Sequence, residues 1–230
     1  VTLVAAALNE QIDLGLGTDT LITDANGATV TVSGAESIQG AGDDDVITLQ
    51  GIVTGAQIDL GGAATADSLT FTDATTVTVY NVESITGSAH NSSVTLGNAM
   101  DGALDLGLGI DTLTLANSGN TLTVSGVESL TGGAGADGVT LSAAQAGGVY
   151  DFGGGADTLT LAAAGATMTV LNLEDITGGA AADVITFGGQ ATGATVDLAG
   201  GNDRLVLADA ANTVTVVNVE TVTGGLANDT

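Results

Sequence analysis

Basic residues, cysteine, proline and tryptophan are almost or wholly missing from this 230-residue chain. Arg204 and His90 are the only arginine and histidine, and there is no lysine. A surface that binds nucleic acid needs several Lys or Arg side chains to neutralise phosphates, so nucleic acid and anionic membranes are excluded as partners. No apolar run approaches the roughly 18 residues of a membrane-spanning helix, so membrane insertion is not expected. The absence of cysteine excludes disulfides, and one histidine does not make a zinc site.

The groups that carry out catalysis are equally scarce. A nucleophilic triad needs a histidine, and the chain has only His90. Carboxylates recur in every part of the chain, so no pair is distinguished as a general acid and base. No phosphate-binding loop with its lysine is present. The sequence therefore predicts that the protein is not an enzyme.

Acidic, glycine and aliphatic residues are abundant. Asp and Glu total 27, which gives a formal net charge of −26, and 36 residues are glycine. Acidic chains with few aromatic residues can be disordered, but here 44% of residues are hydrophobic and they are regularly placed. The acidic excess favours divalent cations as partners, because bound cations would relieve the self-repulsion.

The chain is built from internal repeats of 46 residues. One acidic series recurs at this spacing in an [IVLY]-D-[LF] triplet: Asp13, Asp59, Asp105, Asp151 and Asp197. A second series opens blocks such as ESITG: Glu36, Glu83, Glu128, Glu174 and Glu220. The two series together divide the chain into ten segments of about 23 residues. Because the chain begins and ends at the same phase of the repeat, we expect residues 1–230 to be one continuous segment of a longer array.

Short stretches such as TLTL, TVTV and VITL alternate threonine with aliphatic residues, which indicates strands with one buried face. The fixed period predicts an all-β, right-handed parallel β-solenoid (β-roll or β-helix) of about ten coils, each of about 23 residues, with one coil per segment. Equivalent residues should then stack in ladders. The predicted inward-facing residues are Leu21, Ile47, Leu69, Val94, Leu113, Val139, Leu159, Ile185 and Leu205. The predicted outward-facing residues are Thr48, Thr70, Thr95, Thr114, Thr140, Thr160 and Thr186.

An aspartate precedes one strand in nine of the ten segments, and Ser92 takes its place in the tenth. The predicted metal ligands are Asp19, Asp45, Asp67, Asp111, Asp137, Asp157, Asp183, Asp203 and Asp229, with Asp44 as a further candidate. Glycines two and four residues earlier allow positive φ angles that turn backbone carbonyls inward. The glycines that would position these carbonyls are Gly15, Gly17, Gly107, Gly109, Gly133, Gly135, Gly153 and Gly155. Calcium prefers six to eight oxygen ligands, so a calcium ion between stacked carboxylates would join one coil to the next.

The segment GGAGADGVT at 132–140 resembles the repeats-in-toxin (RTX, haemolysin-type) calcium-binding family, whose nonapeptide is G-G-x-G-x-D-x-U-x with U a large apolar residue. GLGTDTLIT, GLGIDTLTL and GGGADTLTL are similar to its second half. The resemblance implies calcium as the cofactor, and it makes the turn at Asp137 the best single candidate and that at Ser92 the worst. It also implies export by a type I secretion route and folding in external calcium. RTX coils of about 18 residues carry two calcium turns, whereas a coil of about 23 residues predicts a single metal-binding edge.

The function that these features predict is structural. We expect a calcium-stiffened solenoid at the cell surface or outside the cell, self-associating end to end or side by side as a fibre, filament, S-layer or adhesin stalk. The alternatives are a binding module for ice or polysaccharide and an accessory repeat region of a secreted enzyme. Outward Thr pairs favour ice binding, but the sequence places them only in every second coil.

Three further features have simpler interpretations. His90 is expected to be a surface residue in a defective turn, and Arg204 an ordinary exposed side chain. An alternative role for Arg204 is to neutralise carboxylates in place of a calcium ion. The acidic series from Asp13 to Glu220 is expected to be a solvated ladder that keeps the sides soluble, with a second row of cations as the alternative.

Overall fold

A computed structural model describes residues 1–5, 7–62 and 66–230, which form two compact units, Val1–Thr114 and Leu115–Thr230. The described residues contain strands, turns and bends but no helix, and so none that could cross a membrane. The alternation of threonine with aliphatic residues suits a pleated strand with one buried face, and glycines, asparagines and aspartates separate the strands.

The first unit contains twelve short strands. They are β1 (Leu8–Asp13), β2 (Thr20–Ile22), β3 (Thr29–Ser33), β4 (Ser37–Gln39), β5 (Val46–Leu49), β6 (Val53–Asp59), β7 (Ser68–Phe71), β8 (Thr75–Tyr80), β9 (Ser84–Ser88), β10 (Ser93–Leu96), β11 (Asp101–Gly107) and β12 (Thr112–Thr114).

The second unit has the same organisation. Its strands are β13 (Thr121–Ser125), β14 (Ser129–Thr131), β15 (Gly138–Leu141), β16 (Gln145–Asp151), β17 (Thr158–Thr160), β18 (Ala166–Leu171), β19 (Asp175–Thr177), β20 (Val184–Phe187), β21 (Thr192–Asp197), β22 (Arg204–Val206), β23 (Thr213–Val217) and β24 (Thr221–Thr223).

Each coil consists of one odd-numbered and one even-numbered strand, and within each unit successive strands of the same parity pair in parallel. In the first unit the odd-strand sheet runs β1-β3-β5-β7-β9-β11 and the even-strand sheet runs β2-β4-β6-β8-β10-β12. In the second unit the corresponding orders are β13 to β23 and β14 to β24. This arrangement confirms the predicted parallel β-solenoid.

The coil is shorter than the 23 residues expected from the sequence. Residues paired across neighbouring coils are as little as 16 positions apart (Leu69 with Ile85) and as much as 22 positions apart (Leu49 with Phe71). The mean is about 20 residues per coil. Turn length varies between coils and absorbs these differences, so the strands stay in register.

The 46-residue repeat consequently spans a half-integral number of coils. Asp13 ends β1 and Asp59 ends β6, five strands later; with two strands per coil, 5/2 gives two and a half coils. Residues 46 positions apart therefore lie on opposite sheets, and the predicted stacking of all equivalent residues is wrong. Asp59 is instead paired with Gln39 in β4 and Tyr80 in β8.

The predicted inward and outward faces are nonetheless confirmed. The nine predicted core residues are all buried, with Ile47 and Leu69 as direct neighbours on the odd-strand sheet. The predicted outward threonines, such as Thr114 and Thr140, are half-buried or exposed. Whether a side chain points inward or outward depends only on the local alternation along its strand, which the sequence specifies. Which residues stack next to each other in neighbouring coils depends on coil length.

Candidate cation-binding edges

Eight of the predicted aspartates lie at the coil edges, each immediately before a strand: Asp19, Asp45, Asp67, Asp111, Asp137, Asp157, Asp183 and Asp203. Asp45 and Asp67 precede β5 and β7 of the odd-strand sheet, whereas Ser92 and Asp111 precede β10 and β12 of the even-strand sheet. In the second unit, Asp137 and Asp157 stand before odd-numbered strands, and Asp183 and Asp203 stand before even-numbered ones. The expectation of a single metal-binding edge is therefore wrong. Each repeat spans two and a half coils, so one pair of edge residues precedes odd-numbered strands and the next pair precedes even-numbered strands.

Within each pair the carboxylate of one coil accepts a hydrogen bond from the backbone of the preceding coil. The N–H of Asp45 donates to Oδ1 of Asp67 (2.6 Å), and the N–H of Asp67 donates to Oε2 of Glu83 (2.9 Å). The N–H of Ala28 begins the series by donating to Oδ1 of Asp45 (2.7 Å). We call such a run of stacked edge residues, ending in Asp-Asp-Glu, a carboxylate column.

The second unit contains two complete carboxylate columns. The first runs through Asn120, Asp137, Asp157 and Glu174, with backbone-to-carboxylate distances of 2.8, 2.7 and 3.0 Å. The second runs through Ala166, Asp183, Asp203 and Glu220, with distances of 2.7, 2.7 and 2.7 Å. Sequence reasoning missed the glutamates as members, although their recurrence 16 or 17 residues after an aspartate was a usable signal.

The aspartates of these columns are almost completely removed from solvent. Asp45, Asp157 and Asp183 are 0% exposed, and Asp137 is 1% exposed. Oδ2 of Asp137, Asp157 and Asp203 is buried and has no hydrogen-bond partner among the described residues. A buried carboxylate oxygen without a partner is costly, so each of these positions favours a proton or a cation.

Two columns satisfy the second oxygen of their first aspartate from the protein itself. Oδ2 of Asp45 accepts a hydrogen bond from the hydroxyl of Thr23 (3.0 Å), and Oδ2 of Asp183 accepts one from the N–H of Gly179 (3.3 Å). The columns therefore differ in how much of the negative charge the backbone and neighbouring side chains already stabilise.

Burial shifts the acidity of the column aspartates. Desolvation is the main cause that raises the pKa of Asp67 to about 6; the hydrogen bond from the Asp45 N–H opposes it, and the nearby carboxylates of Glu83 and Asp45 act in the same direction as desolvation. Burial also raises the pKa of Asp45, Asp157 and Asp183. These shifts have one physical origin, since a charged carboxylate in a low-dielectric environment is disfavoured unless a counter-charge is present.

The chemistry of the columns fits calcium only in part. Hard carboxylate oxygens and backbone carbonyls are calcium's preferred ligands, and the unpartnered Oδ2 atoms are available to it. The part of the chain that the structure describes contains no cluster of three or more His, Cys, Asp or Glu side chains suited to a metal ion. A bound calcium would therefore take one carboxylate oxygen from a column and complete its shell with backbone carbonyls and water.

The glycines of the predicted turns fall into two groups. Gly15 and Gly17 have φ angles of 80° and 147°, and the pairs Gly107/Gly109 and Gly153/Gly155 are similar, as expected. Gly133 and Gly135 are not among the residues with positive φ. A Cβ on either would instead contact the backbone of the preceding coil at 116–119. The expectation of positive φ is thus wrong in GGAGADGVT, where glycine permits close backbone approach.

The remaining metal candidates are less buried. Asp19 is half-buried, and its N–H donates to Oε2 of Glu36 (2.8 Å). Asp229 accepts hydrogen bonds from the Asn212 side chain (2.8 Å) and N–H (3.1 Å), which lower its pKa. Asp44 lies on the surface.

The other acidic series has two structural roles rather than one. The glutamates close the carboxylate columns, whereas the aspartates from Asp13 to Asp197 cap a turn through the N–H two residues later. In Asp151, for example, Oδ1 accepts the N–H of Gly153 (3.1 Å) and the side-chain amide of Asn172 in the next coil (2.6 Å). Asn172 has a φ of 52°, a conformation that asparagine tolerates. These aspartates are exposed or half-buried, as expected of solvated residues, but Asp13 and Asp59 end strands of opposite sheets, so the series does not form one ladder.

His90 and Arg204 are surface residues. The His90 side chain is 58% exposed and its Nδ1 lies 3.7 Å from a carboxylate oxygen of Asp73. Arg204 is exposed on the even-strand sheet of the second unit. Ser92 keeps the edge geometry despite the lost carboxylate, since its N–H donates to Oδ1 of Asp111 (2.6 Å).

Outward threonines form longer columns than the sequence suggests. On the odd-strand sheet of the first unit, paired positions in four consecutive coils are Thr31, Thr48, Thr70 and Thr86. In the second unit they are Thr123, Thr140, Thr160 and Thr177. The restriction of complete T-x-T pairs to every second coil is retained, since Thr29 and Thr121 face Val46 and Gly138, and only the second threonine of each pair continues into the next coil.

Comparison with protein-family models, with curated proteins and with solved structures gives no match to the chain.

Proposed function

We propose that the protein is a non-enzymatic structural solenoid of the cell surface or extracellular space, in which calcium neutralises the carboxylate columns and stiffens the stack. The observation that carries this proposal is the burial of Asp137, Asp157 and Asp203 with one carboxylate oxygen unpartnered among the described residues. A chain with a net charge of −26 and one arginine cannot supply the counter-charges itself.

The residues that would hold calcium are the column aspartates. Oδ1 of Asp157 is already engaged by the Asp137 N–H, so Oδ2 is the atom that would bind the ion. The bound ion would supply the positive charge that lets a buried carboxylate stay ionised at neutral pH. Since the carboxylate is tied to the preceding coil, calcium binding would be coupled to coil stacking and to folding.

A structural role also agrees with the repetitive surface. Both units present the same strand, turn and column elements repeatedly, and no carboxylate pair is set apart from the others as a catalytic pair. External calcium would keep such a stack folded, and we propose a fibre, layer or stalk as its setting. Self-association into such an assembly is part of the same proposal.

Thermal unfolding in EGTA and in calcium tests this function. Wild-type protein is expected to melt at higher temperature in calcium, since binding at 100 times Kd stabilises the folded state by roughly 2.7 kcal/mol per site. Asp157→Asn keeps an oxygen for the Asp137 N–H but removes the charge, so it should lose part of the calcium-induced increase. Calcium stoichiometry from isothermal titration should fall in parallel.

Asp175→Asn is the matched control, because Asp175 is exposed in the adjacent β19 and belongs to no column. It should keep the full response to calcium. Equal melting temperatures in EGTA and calcium for the wild-type protein would exclude calcium as the stiffening ion, and magnesium in place of calcium tests ion selectivity.

A second candidate function, ice binding, is favoured by the threonine columns. Paired strands repeat at about 4.8 Å, so hydroxyls and methyl groups recur at that spacing across four coils of a parallel sheet. Thr160→Lys would interrupt a four-coil column. Thr186 has a threonine, Thr169, on one side only and Val206 on the other, so Thr186→Lys would leave the four-coil columns intact. If the wild-type protein shows thermal hysteresis that only Thr160→Lys reduces, this candidate stands; absence of hysteresis in the wild-type protein excludes it.

A further inference from the structure

Tyr80 is the one aromatic side chain that the strands direct outward. The chain has three phenylalanines and two tyrosines. Phe71, Tyr150, Phe152 and Phe187 are all buried, with exposures of 0–2%, whereas Tyr80 is half-buried at the outward-facing end of β8. An aromatic ring on a surface is an exception in this protein and needs its own explanation.

The neighbouring coil is shaped to receive this ring. Gly97, one coil further on, lies directly beneath the Tyr80 ring, and any Cβ there would collide with ring atoms. The corresponding pair in another repeat is Leu171 with Gly188, where a Cβ would meet the Thr169 methyl group at 2.9 Å and the leucine side chain at 3.2 Å. At Ser33 the outward residue is small, and the position in the next coil that corresponds to Gly97 and Gly188 is occupied by Gln50. Glycine thus accompanies the large outward side chain, and Gly97 allows the ring to lie against the sheet.

Tyr80 also forms one wall of a cavity of about 420 Å³ on the even-strand sheet of the first unit. The polar side chains that line it are Ser37 and Gln39 on β4 and Gln57 and Asp59 on β6. Register aligns Gln39, Asp59 and Tyr80 in one row across three coils, with Ser37 and Gln57 in the adjacent row. The volume falls within the range of ordinary small-molecule pockets.

The lining matches one ligand class in particular. An aromatic ring offers an apolar face for the C–H groups of a sugar ring, and planar amides, a carboxylate and a hydroxyl can donate to or accept from sugar hydroxyls. The formal charge of −26 repels acidic polymers such as polyuronates. Neutral sugars carry no such penalty.

We propose that the cavity between β4, β6 and Tyr80 binds a neutral saccharide, with one sugar ring against Tyr80 and its hydroxyls hydrogen-bonded to Gln39, Gln57 and Asp59. The polar side chains that line this cavity belong to no carboxylate column, although Gly40 in the lining lies next to Oδ2 of Asp45, and the proposed contacts do not require calcium. It would give the solenoid a place to attach to a neutral glycan.

Intrinsic tyrosine fluorescence provides the test, since the only other tyrosine, Tyr150, is buried at 0% exposure and there is no tryptophan. The full chain is titrated with linear neutral hexasaccharides of glucose with β-1,4, β-1,3 and α-1,4 linkages, and affinities are confirmed by isothermal titration. At least one saccharide should change Tyr80 emission in a saturable manner and give a measurable Kd.

Tyr80→Ser is the informative variant, because serine occupies the equivalent positions Ser33 and Ser125. It should weaken binding about tenfold or more, through loss of the stacking contact. Gln57→Ala should weaken it with Tyr80 retained. Leu171→Ser, the same kind of change at the equivalent position of the second unit and outside the lining of this cavity, should leave the affinity unchanged.

Two results would overturn the proposal. One is the absence of saturable binding for all three saccharides in a correctly folded wild-type protein. The other is wild-type affinity in both Tyr80→Ser and Gln57→Ala, which would place any binding elsewhere on the surface.

Discussion

The backbone N–H of Asp137 donates a 2.7 Å hydrogen bond to Oδ1 of Asp157, the residue at the same edge one coil further on. The side chain of one coil thus satisfies a backbone donor of the coil before it, where a strand has not yet begun. Because both residues are almost fully buried, the bond ties stacking to the ionisation state of the carboxylate. Charge and stability are therefore coupled at these edges.

The metal-free protein should become less stable as the pH rises from 4.5 to 7.5. The folded-state pKa of Asp67, about 6, lies above its ordinary value of 3.8. The contribution of Asp67 to the free energy of unfolding is therefore fully present below about pH 4. It is lost as the pH rises through 6, and the loss is roughly 3 kcal/mol at most. Asp45, Asp157 and Asp183 shift in the same direction.

Melting temperatures in EGTA across this pH range check the prediction. Asp67→Asn should flatten the dependence, because the titrating group is removed. A melting temperature that rises between pH 4.5 and 7.5 in the wild-type protein would show that the column carboxylates are stabilised when ionised, even without metal.

Thr23→Val should destabilise the first unit by about 1–3 kcal/mol, because it removes the donor to Oδ2 of Asp45. The loss should be larger at pH 7.5 than at pH 5, since the ionised carboxylate needs the hydroxyl more. Urea unfolding at the two pH values measures both effects. Thr140→Val, the same change at an exposed position, should stay within about 0.5 kcal/mol of wild type. Equal losses at both pH values would refute the link to ionisation.

Gly132→Ala should cost about 1–3 kcal/mol, the usual range for overpacking. A Cβ at this position would collide with the Phe152 carbonyl of the next coil. Gly154→Ala is the matched control, because its Cβ would meet only the Ala134 Cα at 4.0 Å. Urea midpoints for the two variants test whether coil spacing at Gly132 is as tight as described; similar midpoints would show that the coils can separate freely.

Asn172→Ala should destabilise more than Asn172→Gly. Both variants lose the hydrogen bond to Asp151, but only alanine also has to adopt the φ of 52°. The left-handed conformation adds about 1 kcal/mol for a residue with a Cβ. Chemical denaturation of the two variants gives the difference directly. If alanine were as well tolerated as glycine, backbone conformation would not be the reason for asparagine here.

The sequence predicted some features of the site and missed others for identifiable reasons. The aspartates at Asp45, Asp137 and Asp183 were recognised as edge residues from their position before a strand, which is a local property. The hydrogen bond from Asp67 to Glu83 was missed, because these residues are 16 positions apart and become neighbours only when a particular coil length is known.

By itself, the sequence determined the strands, their inward and outward faces and the 46-residue period. Alternation along a strand is encoded residue by residue, so Leu69 is buried and Thr70 half-buried, as predicted. Only the tertiary structure decided that the repeat occupies two and a half coils, which sends Asp13 and Asp59 to opposite sheets. Coil length depends on how turns of different sizes close while parallel strands keep their register, and this condition joins residues far apart in the chain.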